Sequence, residues 1–201
     1  MSIAHDAHRG SCLKTRKFGY RKRRTEMEQQ QPDYEKAKAM ALDLLDRYDI
    51  TEPPVVAVDL AKREGLKVFG VDFSKRFGNR YIAGFINSKE KTMYVNRDDP
   101  PKRQNFTIAH ELGHWMLGHV TEGNNAEYSE LVFRQTNEER KYSPIEQEAN
   151  YFAATLLMPV KFFVRLAAQY PELSIVDMYD LFGVSEEAFW HRIHFLGLQH
   201  D

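Results

Sequence analysis

One cysteine, Cys12, in 201 residues excludes an internal disulfide framework and any metal site built on several thiolates. It points instead to a reducing, cytoplasmic compartment. Long apolar runs are also missing: no stretch approaches the roughly 18 consecutive apolar residues of a membrane helix. The first residues lack the apolar segment of a secretory signal. Net charge is scarce too, at −1, but it hides an asymmetry. Residues 1–24 hold eight basic side chains against Asp6, a balance of +7, so the remainder carries −8. A basic arm of this kind can bind nucleic acid. Because it is poor in core-forming residues, residues 1–30 read as a disordered basic leader, with Met27 as a second candidate start.

What is present suits a single core: 42% hydrophobic residues, including 13 Phe. Ala37, Ala41, Leu44, Leu45 and Tyr48 fall at helical spacing behind Asp33, a plausible N-cap. After the break "TEPP", the segment "VVAVDLAKREG" predicts a short helix stopped by Gly65. "LKVFGV" is strand-like, and "YIAGFIN" and "TMYVN" alternate as the arms of a hairpin. "DDPPKRQ" then introduces a helix over about 103–117, with Gly118 placed to end it. Residues 121–143 are polar and loop-like. "SPIEQEANYFAATLLMP" reads as a helix between Pro144 and Pro159, and 160–201 as three short helices. The expected class is α+β: a small antiparallel sheet covered by helices, with a helix-turn-helix-like C-terminal appendage. Three regions follow: the leader 1–30, a central α+β domain over 31–159, and the helical appendage 160–201.

The chemistry concentrates in "TIAHELGHWMLGH". Residues four apart on a helix lie about 40° apart and one turn along. His110 and His114 therefore face the same way and can offer two imidazole nitrogens to one ion. Glu111, about 100° from His110, stands beside that ion, where a general base acting on water belongs. This is the His-Glu-x-x-His pattern of zinc peptidases. The pattern is short, and the competing reading is a buried helix whose histidines bond to neighbours. Context favours metal, because Phe106, Ile108, Leu112, Trp115 and Met116 give the helix apolar faces around one polar stripe.

Catalytic zinc usually takes three protein ligands and keeps a fourth position open. His119 falls five residues beyond His114, about 140° off the ligand face, which makes it a helix-end residue and not a ligand. The third ligand is expected from the second helix, at Glu146 or Glu148. The Glu146 stripe runs through Ala149, Asn150, Ala153 and Leu157; its small residues allow close helix approach, and Asn150 could bond a liganding imidazole. The Glu148 stripe carries the bulkier Tyr151 and Phe152. Geometry thus favours Glu146. For the oxyanion, Tyr94, Tyr128, Tyr142 and Tyr151 are all candidates.

"FTIAHELGHWMLGH" followed by "EQEANYFAATLLMP" resembles the ImmA/IrrE family of metallopeptidases. The upstream segments "PPVVAVDLAKREGLKV" and "GFINSKEKTMYVN" are similar to that family's N-terminal half, so the likeness spans about residues 34 to 160. The resemblance implies a zinc endopeptidase, or one using another divalent transition metal such as Mn2+. It implies Glu146 as third ligand, with Glu148 kept in view. It also implies a limited cut in a helix-turn-helix repressor that relieves repression. The rival reading is a non-catalytic, metal-containing regulator that binds such a partner.

"LFGVSEEAFWHRIHFLGL" looks like a helix-turn-helix, but residues 159–201 carry a balance of −3 and the second helix opens with Glu186 and Glu187. DNA readers need a basic footprint, so packing or partner contact is expected here and direct DNA binding is not. His191 and His194 lack a third ligand nearby. Finally, if "YIAGFIN" is an edge strand, a substrate segment could pair with it, with Gly84 permitting close approach.

Overall fold

Asp33 accepts a hydrogen bond from the Lys36 amide at 2.9 Å and so opens helix α1 (Tyr34–Arg47). That bond satisfies one of the amides a helix start leaves without an internal partner. The computed structural model describes residues 31–74, 81–120 and 143–198. The leader, Cys12, Tyr128, Tyr142 and most of the expected loop lie outside them. By its internal contacts the chain divides between residues 31 and 32, and the fold described is that of the second unit. Ala37, Ala41, Leu44 and Leu45 are fully buried, as their spacing on one face of α1 dictates. Helix α2 (Ala57–Arg63) follows, then strands β1 (Lys67–Val71), β2 (Gly84–Asn87) and β3 (Thr92–Asn96). Helices α3 (Pro101–Met116) and α4 (Pro144–Leu157) come next, followed by α5 (Val160–Gln169), α6 (Ile175–Leu181) and α7 (Glu186–Phe195). The protein is α+β.

The sheet has the order β1-β3-β2. The hairpin forms as its alternation predicts, with Phe85 opposite Tyr94 and Asn87 opposite Thr92. The sheet is mixed, however, and not antiparallel throughout: β1 runs parallel to β3, placing Phe69 opposite Tyr94. Period-2 alternation identifies the faces of a strand, not its neighbour or its direction. Ile86, Met93 and Val95 point into the main core. Their alternate neighbours form an aromatic row on the other face. Phe69 and Tyr94 stack at 6.2 Å between centroids, and Tyr94 lies 4.9 Å from Phe85.

Strand β2 is an edge of the sheet among the described residues. The Asn96 amide donates to Ala83 O at 2.8 Å, which fixes the phase of the antiparallel ladder. Backbone groups of Phe85 therefore face β3, and those of Gly84 and Ile86 face outward. The lack of a side chain at Gly84 serves the fold on the inner side. A Cβ there would lie 2.7 Å from Thr107 Cγ2 on α3 and 2.8 Å from Tyr94 O.

The stretch Pro144–Gln169 is long and apolar enough by composition to cross a membrane, but it breaks at Pro159 into two helices that fill the core. Phe152, Leu156, Leu157 and Phe162 are at most 1% exposed. Phe182, Val184 and Phe189 from the C-terminal helices join the same core. Ser185 caps α7 by accepting from the Ala188 amide. Arg192 on α7 is buried and donates Nε–H to Met158 O at 3.2 Å, tying α7 to the C-terminus of α4.

A Gly84→Ala protein should lose about 1–3 kcal/mol of stability by chemical denaturation, because the methyl group overpacks the contact between sheet and α3. A loss below about 0.5 kcal/mol would show that α3 can shift without strain.

Candidate metal centre

Helix α3 starts at Pro101, whose fixed φ suits a first helical position, and it carries Thr107 to His114 entirely buried. Helix α4 meets it where side chains are smallest. At Gly113 a Cβ would lie 3.0 Å from Phe152 Cδ1 and 3.2 Å from Ala149 O. Ala149 and Ala153 are both 0% exposed. This approach brings Glu146, in the first turn of α4, against the histidines of α3. His110 Nε2 lies 3.0 Å from His114 Nε2, 3.3 Å from Glu146 Oε2, and His114 Nε2 lies 3.4 Å from Glu146 Oε1.

These three residues form a group able to hold a metal ion, with ligand atoms all within 4.8 Å of one another. The spacing fits a single ion. Ligand atoms bonded to a tetrahedral zinc at about 2.0–2.1 Å stand roughly 3.3 Å apart, matching the observed 3.0–3.4 Å. Closely set imidazole and carboxylate acceptors repel one another unless a cation or proton lies between them. Glu111, adjacent to His110 on α3, is 3% exposed. A carboxylate is tolerated at such depth when positive charge or hydrogen bonds compensate it.

Each histidine is held from behind. Asn150 Oδ1 lies 2.8 Å from His110 Nδ1, as the small-residue stripe of α4 predicts. His114 is held by a partner that sequence reasoning did not find. His119 Nδ1 lies 3.1 Å from His114 Nδ1, and His119 Nε2 lies 2.8 Å from Glu148 Oε2. The angular estimate for His119 assumed a continuing helix, whereas α3 ends at Met116. Gly118, at φ +75°, turns the chain back. The His119 amide bonds His114 O at 3.0 Å and the Gly118 amide bonds Trp115 O at 3.2 Å. This pair of bonds is the Schellman motif, and it folds His119 over the last turn. The signal that could have found it is the glycine one residue before a histidine at a helix end. Burial, and then the neighbouring His114, lower the pKa of His119 against the opposing pull of Glu148. These effects favour a neutral imidazole.

Of the four tyrosines considered for the oxyanion, Tyr94 donates to Glu90 Oε2 at 3.1 Å. Tyr151 packs against Tyr34 and Phe195, with ring centroids 5.0 and 4.8 Å away. It stands about 100° around α4 from Asn150. The His191 side chain is 80% exposed, with Glu187 at 3.9 Å.

Two histidines and a glutamate constitute one of the donor sets of catalytic zinc sites, and the domain around them is α+β. Residues 61–194 match the Peptidase M78 family, described as the IrrE N-terminal-like domain. The chain belongs to that family. A Mycobacterium tuberculosis transcriptional regulator shares the fold, with a TM-score of 0.57 at 21% identity. The match covers 79% of this chain and 46% of that one, so the chain spans about half the length of that structure. No curated protein matches.

Glu146→Ala should lower metal content after desalting far more than Glu148→Ala, since Glu146 reaches the Nε2 atoms of His110 and His114 whereas Glu148 bonds His119. The reverse order would transfer the ligand role to Glu148.

Proposed function

We propose that the protein is a zinc-dependent endopeptidase making a limited cut in a partner protein, a helix-turn-helix-type transcriptional repressor. The observation that carries this reading is the convergence of His110, His114 and Glu146 on one point, with Glu111 beside them on α3. Three protein ligands, the number that the described residues supply, leave a coordination position for reactants, whereas a structural zinc would be closed by four. That favours catalysis over a non-catalytic regulator. Zinc bound there would acidify a water and polarise the scissile carbonyl. Glu111 is the general base: it takes a proton from the attacking water and delivers it to the leaving nitrogen. Asn150 and His119 keep the imidazoles oriented.

The substrate must be extended at the scissile bond. The outward backbone groups of Gly84 and Ile86 on β2 can add such a segment as a further strand, and cleavage then falls in a linker of the repressor and not within its folded helices. Main-chain pairing reads little side-chain identity, so specificity comes from docking elsewhere. The acidic C-terminal helices are the proposed surface for that docking, not for DNA. A repressor substrate places the reaction in the cytoplasm.

The test is co-incubation with a helix-turn-helix repressor, with and without zinc. Glu111→Gln should retain the metal and lose cleavage by about a hundredfold or more. Full proteolysis by that variant would remove Glu111 from its role. Absence of metal-dependent cleavage of any such repressor would favour the regulator reading.

A further inference from the structure

The relay behind His114 has a direction. The carboxylate of Glu148 can only accept, so His119 donates from Nε2 across 2.8 Å. A neutral imidazole carries one N–H, which leaves His119 Nδ1 as an acceptor. Across 3.1 Å that nitrogen receives the Nδ1–H of His114. His114 Nε2 is then a lone pair, and it is the atom facing His110 and Glu146. We infer that Glu148, without reaching the metal position, selects the Nδ1–H tautomer of His114 through His119. Both are positioning residues. The consequence for metal binding rests on the proposed metal site, but the direction of the relay does not.

The far end of the relay is pinned. Glu148 Oε1 accepts the Asp33 amide at 2.7 Å, at the start of α1. This contact gives the nearly isosteric substitution Glu148→Gln a specific outcome. Only the amide oxygen of a glutamine can accept from the Asp33 N–H, so its NH2 group must face His119 Nε2. An NH2 donates there, and His119 must carry its proton on Nδ1 and donate to His114 Nδ1. The His114 proton is displaced to Nε2, the atom that should bind metal. A change that conserves shape reverses two tautomers, whereas mere loss of packing would reverse none. His110 obtains its orientation from Asn150 and should be unaffected.

The experiment uses the full chain, stripped of metal and labelled with 15N in the histidine rings. Long-range proton–nitrogen spectra at about pH 8, above the ordinary histidine range, report each tautomer. The wild-type protein should show His114 protonated at Nδ1 and His119 at Nε2. Glu148→Gln should show both reversed and His110 unchanged, and zinc added to it should bind about ten- to a hundredfold more weakly. A wild-type His114 protonated at Nε2 overturns the inference without recourse to any variant, so it remains testable if Glu148→Gln fails to fold. A folded Glu148→Gln protein with an unchanged His114 overturns it as well. If the tautomers behave as stated and wild-type protein binds no zinc, the tautomer selection is upheld and the metal reading alone fails.

Discussion

At Gly113 the two site-bearing helices approach until a single methyl group would not fit without displacing Phe152 or the Ala149 carbonyl. The site depends on that contact. Helix α3 contributes His110 and His114 and helix α4 contributes Glu146 and Asn150, each pair four residues apart and therefore on one face. Two such faces meet in register only at a fixed distance between helix axes, which the side chains at the crossing set. Separating the helices by the width of a methyl group would stretch separations of 2.8–3.4 Å beyond the reach of one ion or one hydrogen bond. The small residues at the crossing are thus as much a part of the site as its ligands.

Helix α1 locks the same pair from outside. Its Asp33 amide holds Glu148 of α4, Tyr34 donates to Gln147 Oε1 at 2.7 Å, and Lys36 donates to Leu117 O at 3.2 Å. The last contact places a positive charge at the carboxyl end of α3, where the helix dipole is negative and carbonyls lack internal partners. The buried stripe of Ala37, Ala41, Leu44 and Leu45 anchors α1 in the core. Its first turn can then serve as a fixed reference for both site helices. The first helix of the described residues thus orients residues more than eighty positions later.

How much of this was legible follows from where periodicity applies. Inside a helix, 100° per residue is dependable, and the predicted His110–His114 face, the small-residue stripe bearing Glu146 and the Asn150 contact all lie inside helices. Where a helix ends, the same arithmetic misleads. His119 was set 140° away from the ligand face, yet a left-handed glycine returned it to His114. The sheet failed in a comparable way: alternation gave the faces of β2 and β3 but could not give β1 its parallel partner. Gly84 was legible as a place of close approach, though the element that approaches is α3. Tertiary neighbours decide such cases, and a one-dimensional pattern does not contain them.

Charge balance constrains which ion the site could hold. Glu111 and Glu146 bring two carboxylates to a centre whose histidines are no more than 6% exposed. A divalent ion bound between neutral His110 and His114 would neutralise the pair of carboxylates in full. A centre with two imidazole nitrogens also disfavours magnesium and calcium, which prefer oxygen, and favours zinc or a neighbouring transition metal. Glu148 lies outside this balance, since it accepts from His119 and from the Asp33 amide. Its negative charge orients the site without adding to the charge the ion must offset. That separation suits the proposed division of roles, in which one glutamate of α4 would ligate the ion and another, two residues along, would orient the imidazole that faces it.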